Sequence, residues 1–114
     1  MQIERLAPVL TVDDLATAIR EYTDVLGMHV VMDSGWVAFL ADNEGRQLGL
    51  MTTDLTAPVN PDVSVFVDDV GAAHENALGA GLEIVHPLTS EPWGVRRFFY
   101  RDSSGAVVNV GTHI

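Results

Sequence analysis

The stretches VDDLATAI at residues 12–19 and VDDVGAAH at residues 67–74 carry nearly the same message twice in a chain of 114 residues. Each joins an alternating apolar run to an amphipathic one. In the first copy Pro8, Leu10 and Val12 share one face of a period-two segment, with Val9 and Thr11 on the other. Asp13 or Asp14 then serves as a helix N-cap, its carboxylate accepting bonds from the first free backbone N–H groups. Leu15, Ile19, Tyr22 and Leu26 follow at helical spacing as one buried stripe, Gly27 ends the helix, and MHVVMD runs on as a strand. The second copy repeats each step. Val63, Val65 and Val67 form a strand face, Asp68 or Asp69 caps, Val70, Ala73 and Ala77 make the stripe, Gly81 closes the helix and LEIVHPL runs out extended. Val67 follows Val12 by 55 residues and Gly81 follows Gly27 by 54, so cap, stripe and stop recur in one order.

Further strands follow each helix. GWVAFLA leads through DNEG to RQLGLMT, and VRRFFYR leads through DSSG to AVVNVGT. Asp-x-x-Gly loops between β-rich runs are hairpin signals. Each half therefore reads strand, helix and three strands, an α+β fold of two pseudo-symmetric βαβββ modules within a single domain. The first module spans residues 1–53, a polar connector with two prolines covers residues 54–61, and the second module spans residues 62–114. With each helix covering one face of a curled mixed sheet, the opposite faces are left to form a cup, where function is to be sought.

The composition bounds what the cup can do. Hydrophobic residues at 47% are enough for a real core, and the length fits one domain. The absence of cysteine removes disulfides, thiolate metal sites and cysteine nucleophiles together, and it fits a reducing cytoplasm. MQIERLAPVL has no basic segment before a long apolar run, so no signal peptide is expected, and no stretch approaches the length of a membrane span. Sixteen acids against six bases give a formal charge of −10, which repels phosphate backbones and argues against nucleic acid. The same charge serves solubility and favours a cationic ligand.

PVLTVDDLATAIREYTDVLGM, VSVFVDDVGAAHENALGAGLEI and PWGVRRFFYRDSSGAVVNV together resemble the vicinal oxygen chelate superfamily, which holds glyoxalase I, extradiol dioxygenases, fosfomycin-modifying enzymes and bleomycin-resistance proteins. The last string carries the most specific part, a Trp-Gly, an aromatic strand, an Asp-x-x-Gly turn and a final strand. The resemblance implies paired βαβββ modules, a homodimer, and in the enzymes a divalent metal held by His, Gln or Glu from four strands. The four corresponding positions here are Ala7, Gly49, Asp62 and Asn109. Alanine and glycine offer no donor, and one carboxylate with one amide does not retain a transition metal against water, so no metal or other cofactor is expected. His29, His74, His86 and His113 are scattered and read as surface histidines rather than a relocated site.

If those four positions point into the cup, so do Val9, Gln47, Met51, Ser64, Phe66 and Val107. Trp36, Ala38 and Leu40 share a face assigned inward, which sends Phe39 to the helix-covered core; Arg97 and Phe99 are also assigned inward, and Trp93 lies in the bordering SEPWG loop. The expected binding residues are Trp36, Gln47, Met51, Asp62, Ser64, Phe66, Trp93, Arg97, Phe99 and Asn109. Such a lining suits a small aromatic or heteroaromatic molecule with one or two hydrogen bonds, and Asp62 favours a cationic group. The competing reading is packing, with the rings filling the interior and Arg97 paired to Asp62. Two functions compete as well. One is a metal-free protein of the bleomycin-resistance type that sequesters an antibiotic or toxin; the other is a lyase, isomerase or dioxygenase with an atypical metal or with Asp62 as acid–base group. A small-molecule sensor is a third.

Overall fold

The structure, a computed structural model, describes all of residues 1–114. The chain runs β1 (Ile3–Thr11), α1 (Leu15–Leu26), β2 (His29–Asp33), β3 (Val37–Ala41), β4 (Gln47–Met51), then β5 (Val63–Val67), α2 (Val70–Gly79), β6 (Glu83–Glu91), β7 (Val95–Arg101) and β8 (Val107–His113). Strand, helix and three strands occur twice, giving an α+β architecture of two βαβββ repeats. The residues gather in two units, Ala7–Asn60 and Met1–Leu6 together with Pro61–Ile114.

Within Ala7–Asn60 the strands lie in the order β2-β3-β4-β1. β3 is antiparallel to β2 and β4, and β4 is parallel to β1 through pairs such as Val9 with Gly49. The other unit repeats the plan as β6-β7-β8-β5, with β7 antiparallel to both neighbours and β8 parallel to β5. Parallel strands need a crossover. Each helix supplies it by carrying the chain to the far edge of its sheet, from which two hairpins bring it back.

Local chemistry fixes these elements. Of the paired aspartates, Asp14 and Asp69 are the caps, accepting from the backbone N–H of Thr17 at 3.1 Å and of Ala72 at 3.0 Å. Gly27 stops α1 in the left-handed region, at φ 68°, with its N–H on the Thr23 carbonyl. The two Asp-x-x-Gly loops are the same object. Asp42 accepts from the backbone N–H of Glu44 and Arg46, and Asp102 from those of Ser104 and Ala106. Both carboxyls lie below the ordinary 3.8, Asp42 chiefly through the Arg46 N–H and Asp102 chiefly through the Ser104 hydroxyl.

Each sheet has one face packed under its helix. Leu15 and Ala18 of α1 meet Ala38, Leu40 and Leu50, with Ile19 and Tyr22 partly buried beside them. Val70 and Ala77 of α2 meet Val67, Phe98, Val108 and Val110. Two expectations are corrected. Leu26 is 62% exposed, because the packed stripe ends at Tyr22 and Met28, just past the Gly27 turn, packs in its stead. Ala38 and Leu40 lie under α1, whereas Phe39 joins Ala7, Val9, Val37 and Met51 on the sheet's other face. Trp36 does pack with that second group, yet it sits in the bend before β3 and so does not report the strand's alternation.

Leu40→Ala is expected to cost about 3 kcal/mol, as for other buried leucines. Leu26→Ser is expected to change stability by less than about 0.5 kcal/mol. Denaturant unfolding of the two variants measures both.

Candidate functional site

In the unit containing Pro61–Ile114, paired positions run straight across the sheet: Ser64 with Asn109, Asn109 with Phe99, Phe99 with His86. Directly paired side chains stand on the same face. Phe98 and Val110, of the opposite parity, lie under α2, so this row occupies the helix-free face. The neighbouring row holds Phe66, Gly111, Arg97 and Thr89.

Glu91 organises this face. Its Oε1 accepts from Arg97 Nε at 3.1 Å and from the imidazole Nε2–H of His86 at 2.9 Å. His86, Glu91 and Arg97 are 7%, 9% and 5% exposed. A charge buried this deeply is costly unless it is paired and hydrogen-bonded. The Arg97 guanidinium also lies 4.9 Å from the centroid of the Phe99 ring and 5.1 Å from that of Trp93, within cation–π range, and His86 meets Phe99 edge-on at 5.1 Å. Trp93, 46% exposed, is the member of the group that solvent reaches.

Next to this cluster, Asn109 donates from Nδ2 to Ser64 Oγ at 2.7 Å, while its own Oδ1 is buried without a partner. Phe66 is held from both sides, stacked on His113 at 4.6 Å and covered by the Arg5 guanidinium at 4.2 Å. A side chain at Gly111 would put its Cβ 3.3 Å from the Phe66 ring. Asp62 is exposed and precedes β5; its backbone N–H and its carboxylate bind the carbonyl and N–H of Val107, each at 2.8 Å, closing the end of the sheet. The expected pairing of Arg97 with Asp62 is therefore replaced by Arg97 with Glu91.

In the unit of Ala7–Asn60, Met51 is buried and Trp36 half-buried in one apolar cluster with Phe39. Gln47 is half-buried, and its Oε1 has no partner. Gly49 is a glycine for a steric reason: an added Cβ would lie 2.9 Å from Phe39 Cε1 and 3.1 Å from Val9 Cγ2.

The four positions that the sequence resemblance sets against metal ligands, Ala7, Gly49, Asp62 and Asn109, are engaged as follows. Ala7 has no donor atom, and the Phe39 ring fills the space beside Gly49. Asp62 binds backbone and Asn109 binds Ser64. No group of three or more His, Asp and Glu side chains comes together elsewhere in a way that could hold an ion.

Sequence reasoning missed two members of the polar cluster. His86 is buried, which corrects its reading as a surface histidine, and Glu91 was not singled out. The cause is the register of β6, which shifts between Ile84 and His86 and again between His86 and Thr89. Those bulges bring His86, Thr89 and Glu91 to one face against strict alternation. The visible signal was Glu91 beside Pro92, Trp93 and Gly94, an acid at the mouth of an aromatic turn.

Residues 2–110 match the sequence profile of the Glyoxalase/Bleomycin resistance protein/Dioxygenase superfamily. Among curated proteins, none matches the sequence. Solved structures share the fold. An NAD-dependent benzaldehyde dehydrogenase from Legionella pneumophila superimposes with a TM-score of 0.81 at 17% identity, covering 96% of this chain and 100% of its own. A glyoxalase/bleomycin resistance protein/dioxygenase superfamily member from Vibrio splendidus 12B01 gives 0.72 at 19%, covering 99% and 100%. Methylmalonyl-CoA epimerase from Mycobacterium tuberculosis gives 0.67 at 20%, covering 98% and 87%. At these identities the likeness is one of fold.

Glu91→Gln keeps an acceptor oxygen but removes the charge facing buried Arg97, so it is expected to destabilise by about 3 kcal/mol. Trp93→Ala, at a half-exposed position, is expected to cost less than about 1 kcal/mol. Chemical denaturation of both variants measures the contrast.

Proposed function

The chain belongs to the glyoxalase/bleomycin resistance protein/dioxygenase superfamily, and we propose that within it the protein binds and sequesters a small organic molecule without a metal ion. The observation that carries this reading is the unmet Oδ1 of Asn109. Buried polar atoms are nearly always hydrogen-bonded, and one left open beside Ser64, Phe99 and Arg97 is an acceptor waiting for a donor. Ser64 can take either end of the amide, so a turned Asn109 would present its NH₂ instead; in both settings one end is left without a protein partner. Trp93, half-exposed beside Arg97, offers a ring surface for stacking, while Phe99 is fully buried and fixes Arg97 from within.

The ligand this chemistry suits is an aromatic or heteroaromatic molecule with a hydrogen-bonding group, of the antibiotic or toxin type. A cationic group remains compatible, since the Asp62 carboxylate accepts from the Val107 N–H through Oδ2 and keeps its charge. The consequence of binding is mass action: a molecule held here is withdrawn from its target. The absence of a donor set at Ala7 and Gly49 supports capture rather than metal-assisted turnover. The homodimer that the family implies is part of the proposal, and sedimentation measures it directly.

A second reading, an acid–base enzyme, draws on the buried contact between His86 and Glu91 rather than on Asp62. Product formation on incubation with a bound ligand would favour it.

Trp36 and Trp93 make the test simple. A panel of aromatic natural products is expected to contain one that changes tryptophan emission saturably, and Asn109→Ala is expected to weaken that binding about tenfold, the worth of one buried hydrogen bond. A flat signal across the panel contradicts the proposal.

A further inference from the structure

The two helices, aligned on their capping aspartates, differ where they meet their sheets. With Asp14 set on Asp69, Leu15 matches Val70, Ala18 matches Ala73, Ile19 matches His74 and Tyr22 matches Ala77. In the first unit Ile19 and Tyr22 pack against Ala38, Leu40 and Leu50 and fill the gap between helix and sheet. In the second unit alanine replaces tyrosine, and His74 turns edge-on to Phe98 at 5.0 Å. The missing bulk is not recovered. A cavity of about 330 Å³ remains between α2 and the sheet, walled by Ala73 and Ala77 on one side and by Phe98, Val108 and Val110 on the other. Met1 and Ile3, both exposed, stand at its rim.

We propose that this cavity is a second binding site, for a small uncharged molecule of one aromatic ring bearing one hydrogen-bonding group. Its chemistry follows from the lining. No Asp, Glu, Lys, Arg or His contributes to it, so an ionised ligand would lose its hydration without a counter-charge. Polar side chains come from Asn76 and Tyr100, enough to meet one hydroxyl or N–H. Phe98 and Tyr100 add ring contacts. The volume is at the small end of ligand pockets, which run from about 300 to 1,000 Å³. The cavity is open to solvent at Met1, Ile3 and Asn76, which gives a guest its way in. The site lies on the α2 side of the sheet, away from Asn109, and stands whether or not the proposed function does.

Phenol, indole and benzoate are the probes, and methyl-resolved NMR of the full chain is the readout. Phenol and indole are expected to shift the methyl signals of Ala73, Ala77 and Val108 saturably, while benzoate leaves them unchanged. Ala77→Tyr restores the side chain that the first helix carries, and it is expected to weaken phenol binding at least about tenfold. Ala73→Leu serves the same purpose should the tyrosine variant not fold. The proposal is overturned if no saturable shift appears at those methyls in the unmodified protein, if benzoate binds as phenol does, if binding survives the cavity-filling substitutions, or if shifts are confined to the methyls of Thr89 and Val107 on the helix-free face.

Discussion

A phenyl ring seated on a glycine shapes the helix-free face of the first sheet. Phe39 lies against Gly49 so closely that even a methyl group there would come within 2.9 Å of the ring. On β8 of the other unit, a methyl at Gly111 would come 3.3 Å from Phe66. Close approach of this kind admits no larger side chain without moving a packed core. The helix-free faces are thus occupied partly by the protein's own hydrocarbon. Polar chemistry is left to Glu91 with His86 and Arg97, to Asn109 with Ser64, and to Gln47 with its unpartnered Oε1.

That polar remainder is unlike the surface. The chain carries a formal charge of −10, yet the buried cluster of the second sheet places one carboxylate against a guanidinium and an imidazole. Paired burial does not by itself add stability, because desolvation offsets the Coulomb gain. It holds Arg97 in one place between two rings, with Trp93 half-exposed beside it. A binding site needs such fixed groups more than it needs net charge.

Most of the fold was legible because its signals are local and repeated. The aspartate caps, the Gly27 stop and the twin Asp-x-x-Gly loops each depend on a few neighbouring residues, and each appears twice. The candidate site was legible only where strands are regular. Parity on β7 and β8 correctly places Arg97, Phe99 and Asn109 on one face. It misplaces Phe39, because Trp36 lies in a bend and its orientation does not propagate into β3. It misses His86 and Glu91, because two register shifts in β6 reset the alternation, the second of them at Pro87. The contact that Asp62 makes was not legible either: its carboxylate closes a strand end through a partner 45 residues away, which no short window contains.

Native mass spectrometry of the protein, isolated from cells without chelator, tests the central claim most directly. The account predicts the mass of the chain, alone or with an organic adduct, and no bound divalent ion. A first-row transition metal retained at one equivalent per chain would contradict it.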